Sequence, residues 1–511
     1  MGAAAVTVPS YLRGSRMIRA VAASPVGGGA KPLPFRAQLP IPRVIESSDI
    51  ALPITEAEIP ILPGRPTRMW TYGGDFPGPT IRRPTGSRTT VKFDHRLPKE
   101  AGELSVHLHG GHNTSVDDGQ PGGLTRSLPR SLYCDISPRL PERQSGNDLL
   151  IARGRSRTYT YDFIENGGRE RGATHWYHDH RLERTARNVW RGLAGMWISQ
   201  DDVDDSLRLP RGRRDIPLML SDRSFDRDNQ LTNPFGGDAH APDDGVTGRH
   251  ILVNGAILPH HRVEACRYRL RILNASNFRS YNLRIGGGAE MTQIGTDSGL
   301  LPRPLRRRRL LIGPGERVDV IVDFSRAKHS DVILGSVRRD VAPALGSQSY
   351  VGPLMQFRVG RRVRDSTEIP AELRPLPGWT EEVDASPVKD WRISIGGGFV
   401  AKWLINDRTY DPAFVEHRAK LGTTETWRLV NETKVAHLLH IHHTDWYLLE
   451  RNGRATAPEE RCLKETFFMD PGDELLVAGR FSDYAGKYVV HCHMLDHEDH
   501  GLMSQFETYA A

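Results

Sequence analysis

The chain has 511 residues, 38% of them hydrophobic and 26% charged, with a formal net charge of +7. That composition excludes a disordered or fibrous protein. No run approaches the roughly eighteen apolar residues of a membrane helix. The length allows two to four domains with cores of their own, and 50 glycines with 35 prolines suit a many-stranded β protein. The positive charge comes mainly from arginine. The run PLRRRRLL (304–311) is the obvious nucleic-acid patch, but no recognition motif or aromatic stacking pattern accompanies it, and it reads as solvated surface.

Residues 1–35 read as a flexible arm. Arg13, Arg16 and Arg19 interrupt any apolar signal core, no twin arginine occurs, and Val6 stands where a myristoylation site needs Ser or Thr. Cytoplasmic residence is the expectation. Beyond the arm, period-two alternation predicts strands over 88–95, 157–163, 268–274, 317–324, 424–430 and 486–493, and long helical periodicity is lacking. Composition shifts near 201–215 and 361–387 divide the chain into β-sandwich domains over 36–205, 206–365 and 391–511, with a linker over 366–390. Four cysteines in so long a chain make no disulfide framework. Cys134, Cys266 and Cys462 read as plain thiols, with one disulfide among them left open.

Histidine motifs fall in the first and third domains. HLHG (107–110) and HWYHDH (175–180) come first, then HLLHIH (437–442) and HCHMLDHEDHGLM (491–503). On a strand, residues two apart share a face and neighbours oppose. His491 and His493 therefore point one way and Cys492 the other. In 437–442, His440 and His442 share a face that His437 does not. Cys492 with His437 and His497 makes a His₂Cys set suited to blue copper. The pairs His107/His109, His178/His180, His440/His442 and His491/His493 supply eight imidazoles, enough for three further ions. HWYHDH alone is also the H-x-D-H element of a zinc hydrolase, but that chemistry has no use for Cys492. His240, His250, His260 and His261 follow no pattern and read as structural or exposed.

These motifs resemble the four copper signatures of the multicopper oxidases over about residues 35–511, most closely the branch of spore-coat laccases, bilirubin oxidase and phenoxazinone synthase. Supporting stretches are VNGAILP (253–259), GPGERVDVIVDFS (313–325) and 463–493. The resemblance implies an all-β chain of three cupredoxin-like Greek-key β-sandwiches and four copper ions. Type 1 copper would take His437, Cys492 and His497. Type 2 would take His107 and His440. The type 3 pair would take His109, His178, His180, His442, His491 and His493. His112, His175, His443 and His500 fall outside that set. Electrons from substrate would enter at type 1 and pass through Cys492 to the cluster, where dioxygen becomes two waters. Asp118 and Glu498 match acids that supply protons in relatives. One departure stands out: the axial methionine position is Leu502, with Met503 one residue later, and an unligated axial side at Leu502 is preferred to a shifted register. The implied function is laccase-like oxidation of phenols or ortho-aminophenols in a biosynthetic role, with dioxygen and a small aromatic donor as partners, and no nucleic acid or membrane. Alternatives are a cuprous or other metal-ion oxidase for copper tolerance and a copper-free structural cupredoxin protein.

Overall fold

The computed structural model describes residues 33–123, 149–235, 245–339, 349–396 and 402–510. Nearly all of the arm, together with Cys134 and His240, lies outside them. The predicted strands form with shifts of one or two residues at their ends: Thr89–His95, Ser156–Tyr161, Arg267–Asn274, Arg317–Asp323, Thr423–Asn431 and Gly486–Cys492. In Thr89–His95 the alternation does the work. Thr89, Val91, Phe93 and His95 are buried while Thr90, Lys92 and Asp94 are more exposed, so one face packs into a core.

Six main sheets pair into three sandwiches. In the first, a five-stranded sheet containing Val106–His109 and Thr174–Asp179 covers a four-stranded one, with Leu52, Trp70, Phe93, Leu108 and Trp197 between them. The second packs a seven-stranded against a six-stranded sheet around Leu218, Leu270, Val320 and Phe357. The third is built likewise around Trp391, Trp427, Leu438 and Phe506. The longest of the α-helices among the described residues, Thr185–Arg191, spans 7 residues.

Two features depart from the composition reading. Residues 36–40, assigned there to the first domain, lie on the second: Leu39 N–H donates to His260 O at 2.7 Å and Leu39 enters that domain's core. The linker is not loose chain either. Ile369 and Leu373 pack with Leu300, Leu301 and Cys462, and strand Lys389–Gly396 begins within its range. The run 304–311 leaves strand Gly299–Arg307 of one sheet and enters strand Leu310–Ile312 of the other; Arg307 pairs with Glu459 at 3.0 Å, while Arg306, Arg308 and Arg309 are exposed. First and second domains share a buried ionic lattice. Arg269 bonds Asp204 and Asp319, and Arg271 bonds Asp215 and Thr174. First and third domains meet where Asp499 accepts the free N–H groups of Thr185 and Ala186, capping the helix Thr185–Arg191 from another domain.

Candidate metal centre

Strand pairing sets the histidines in place. In the first domain His107 lies opposite His178 across an antiparallel pair, and in the third His440 lies opposite His491. The two domains then interleave their rings: His107 stacks on His442 at 3.9 Å between centroids and His109 on His440 at 3.8 Å. None of the eight imidazoles is more than 2% exposed. Their nitrogens gather in compact groups within 4.8 Å: His109 with His178 and His493, His180 with His442 and His491, and His107 with His440 and His109. In the second group the Nε2 atoms of His180 and His442 stand 3.3 and 3.1 Å from that of His491.

Six of the eight rings are oriented through the nitrogen remote from the cluster. Nδ1 of His107 bonds the Asp118 carbonyl, of His178 the Asp179 carbonyl, of His440 the Glu465 carbonyl, and of His442 the Asp118 carboxylate. A carbonyl only accepts, so the Nδ1 atoms of His107, His178 and His440 carry the proton and their Nε2 atoms keep the lone pair. Among the described residues Nε2 of His107, His178 and His440 and Nδ1 of His109 find no hydrogen-bond partner. Buried polar atoms left without partners are rare and costly. Convergent lone pairs with anchored far sides are what metal-binding imidazoles require.

Cys492 occupies the other face of the same strand. Its Sγ lies 3.6 Å from Nδ1 of His437 and 3.8 Å from Nδ1 of His497, which are 3.3 Å apart. A triangle of those sides has a centre about 2.1 Å from every corner, the length of metal–imidazole and metal–thiolate bonds. Thr433 Oγ1 holds Nε2 of His437 at 3.0 Å. Trp403 covers both rings, with centroids 4.8 Å from His437 and 4.4 Å from His497, and Phe278 of the second domain stands against His497. Leu502 packs in the same apolar cluster as Cys492. Met503 sits opposite His491 in the strand pair and packs with Leu182, Tyr410 and Val489.

Electrostatics suit both pockets to a cation. Burial holds His178 and His437 down to about 3 and pushes the other cluster histidines with a resolved shift well below their ordinary value. Neutral rings with free lone pairs result. Burial also lifts the Cys492 thiol to about 12, so a metal, rather than the protein field, must displace its proton.

Both acids singled out in the sequence adjoin the cluster. Asp118, 1% exposed, sets Oδ2 at 2.8 Å from Nδ1 of His442, and burial raises its carboxyl well above the usual range. Glu498, fully buried, places Oε2 3.1 Å from Nδ1 of His491 and accepts from Thr185 Oγ1 at 3.0 Å. A narrow cleft reaches His107, His440 and His442 and is walled by Glu165, Glu170 and Asp445. In HWYHDH the Asp179 carboxylate is taken by Ser105 N–H and Asn188 Nδ2, so no H-x-D-H zinc site forms. His175 bonds Ser199 Oγ, and His112 bonds the His443 carbonyl. Cys266 and Cys462 are free, buried thiols. Glu465, Thr466, Arg317 and Trp403 escape the sequence reading. Glu465 and Arg317 sit within quoted motif stretches, but Glu465 lies in the bend between two strands and Arg317 at the start of one, where no spacing marks a charged residue as inward.

The fold and pockets define a three-domain cupredoxin protein with a His₂Cys site and an eight-histidine cluster. Three segments match multicopper oxidase family profiles: 53–133, 214–341 and 383–511. A laccase of Bacillus stratosphericus is 32% identical over 477 residues, covering 86% of this chain and 90% of that protein. The bilirubin oxidase of Albifimbria verrucaria is 29% identical, covering 86% and 72%. A multi-copper oxidase structure from Pediococcus acidilactici superposes with a TM-score of 0.77 at 28% identity, covering 95% and 93%. This chain belongs to the multicopper oxidase family. It is a laccase-like enzyme with oxygen as acceptor, and its buried clusters match the type 1 and trinuclear copper sites.

Proposed function

We propose that this enzyme oxidises small phenols or ortho-aminophenols one electron at a time, in a biosynthetic role. The observation that carries the chemistry is the tripeptide 491–493, whose Cys492 faces one pocket while its flanking histidines face the other. His437, Cys492 and His497 would hold type 1 copper, and His107 and His440 type 2. His109, His178 and His493 would hold one type 3 ion, and His180, His442 and His491 the other. Bound copper supplies one-electron acceptance at the first pocket and four-electron reduction of dioxygen to water at the second. Cys492 gives a covalent route of a few bonds to His491 and His493. Asp118 and Glu498, beside His442 and His491, are placed to hold protons for oxygen reduction. Leu502, in the same apolar cluster as Cys492, would supply no donor atom to copper held there.

Aromatic donors are favoured by the indole of Trp403 over His437 and His497 and by the names of the relatives. Metal-ion oxidation is disfavoured. All eight methionines among the described residues are buried, so none offers a thioether to a soft ion at the surface. Oxygen uptake by the copper-loaded protein tests the reading against ortho-aminophenols, methoxyphenols, bilirubin and cuprous ion. Fastest turnover on an aminophenol or phenol is expected, and a clear preference for cuprous ion would overturn it.

A further inference from the structure

Among the described residues the second domain contributes no ligand to either pocket, yet its segment 313–317 forms part of the cluster wall. Gly315, at φ +83°, lies so close to His493 that a Cβ there would fall 2.7 Å from the ring. Gly110, beside the ligand strand of the first domain, leaves the space that the Arg317 guanidinium fills. Arg317 is fully buried and touches all three domains. Its Nε donates to Thr174 O of the first at 2.7 Å, and Nη2 donates to Asp297 O of the second at 3.0 Å. Both Nη atoms fork onto the Glu465 carboxylate of the third, Nη2 at 3.1 Å from Oε2. Glu465 Oε1 in turn lies 2.9 Å from Nε2 of His109 and accepts from Thr466 Oγ1 at 3.1 Å.

Both Glu465 carboxyl oxygens already accept from Arg317, and Oε1 also from Thr466 Oγ1, so Nε2 of His109 is placed to donate to Oε1 while its Nδ1 keeps the lone pair. That is the reverse of His107, His178 and His440, whose Nδ1 atoms are the tethered ones. We infer that Arg317, acting through Glu465, fixes the inverted tautomer with which His109 meets copper, making the second domain a working part of the trinuclear centre. The inference rests on the proposed role of His109 as a ligand. Arg317 is a positioning residue, since it touches no ligating atom.

The test compares copper-loaded Arg317→Lys and Glu465→Gln with wild type. Glu465→Gln is nearly isosteric and carries the test should Arg317→Lys fail to fold. Losing a partner that orients a metal-binding histidine costs about 10–100-fold in metal affinity or activity. Cluster copper affinity in both variants is expected to fall in that range. Type 3 copper should become visible by electron paramagnetic resonance, where a spin-coupled pair is silent, while the blue type 1 band keeps its intensity per protein. Arg82→Lys, which weakens the ion pair with Asp215 at 3.1 Å and touches none of these partners, should lower the melting temperature without altering the copper signals. Four bound coppers with a silent pair and affinity within about twofold of wild type in Glu465→Gln would overturn the inference. His109→Ala tests the underlying reading separately: unchanged cluster copper there would remove His109 from the ligand set, whatever Arg317 does.

Discussion

Cys492 shares an apolar cluster with Leu438, Met494 and Leu502, and Trp403 and Phe278 cover its partner rings, whereas one residue away on the same strand His491 and His493 look into imidazoles and the Glu498 carboxylate. Three ligands share the apolar pocket, with one side-chain hydrogen bond to His437. Six of the eight rings opposite are tied to Asp118, Asp179, Glu465 or Glu498. The difference shows how one strand serves two chemistries. A site that passes single electrons gains from a dry, rigid, weakly polar shell, which sets its potential. A site that consumes protons needs acids beside it, and its histidines must be fixed by hydrogen bonds.

The sharpest way to break that contrast is at the residue shared by both sides. Cys492→Ser should abolish the blue absorption and reduce substrate oxidation below detection while the circular dichroism stays near wild type. Residual blue colour in that variant would end the two-pocket account. Next comes the proton side. Glu498→Gln should slow reoxidation by dioxygen by about a hundredfold, the usual scale for a lost acid, and leave type 1 reduction nearly unchanged. Stopped-flow traces with the reverse order would place Glu498 outside proton delivery.

A third expectation concerns loading of the dry pocket. Because burial holds the Cys492 thiol near 12, copper must release its proton at any working pH. Apparent affinity at the type 1 site should then rise about tenfold per pH unit and fall as pH drops. Competition titrations at several pH values measure the slope, and a flat profile would mean the thiolate is preformed. The smallest effect should come from the axial side. Leu502→Met is a volume-conserving change costing less than about 1.5 kcal/mol. It should lower the type 1 potential and slow oxidation of electron-poor phenols, since a weak thioether favours the oxidised ion. Met503→Leu should leave the potential in place. If Met503→Leu moves it instead, the ligand register is one residue later.

Much of this arrangement is legible in the sequence because strand alternation is a strict rule. Once 486–493 is taken as a strand, the opposed faces of Cys492 and its flanking histidines follow, and the structure brings His437 and His497 to the same sulfur. The sequence left unread what depends on contacts between domains. Arg317 stands in a motif without a stated partner, because its partners Thr174 and Glu465 belong to other sandwiches. The attachment of residues 36–40 to the second domain was hidden for the same reason: a short edge pairing has no periodicity of its own. Trp403 looks like any core aromatic until His437 and His497 are found beneath it.

The split of the eight histidines between the two ends of the chain carries a consequence for biogenesis. A ribosome releases His107 through His180 long before it makes His437, so the growing chain carries half a nest of imidazoles with nothing to close it. Only when the helix Leu495–Asp499 has docked on Thr185–Arg191 can that nest become selective. The complete cluster therefore exists only after the third domain has been made and has docked on the first.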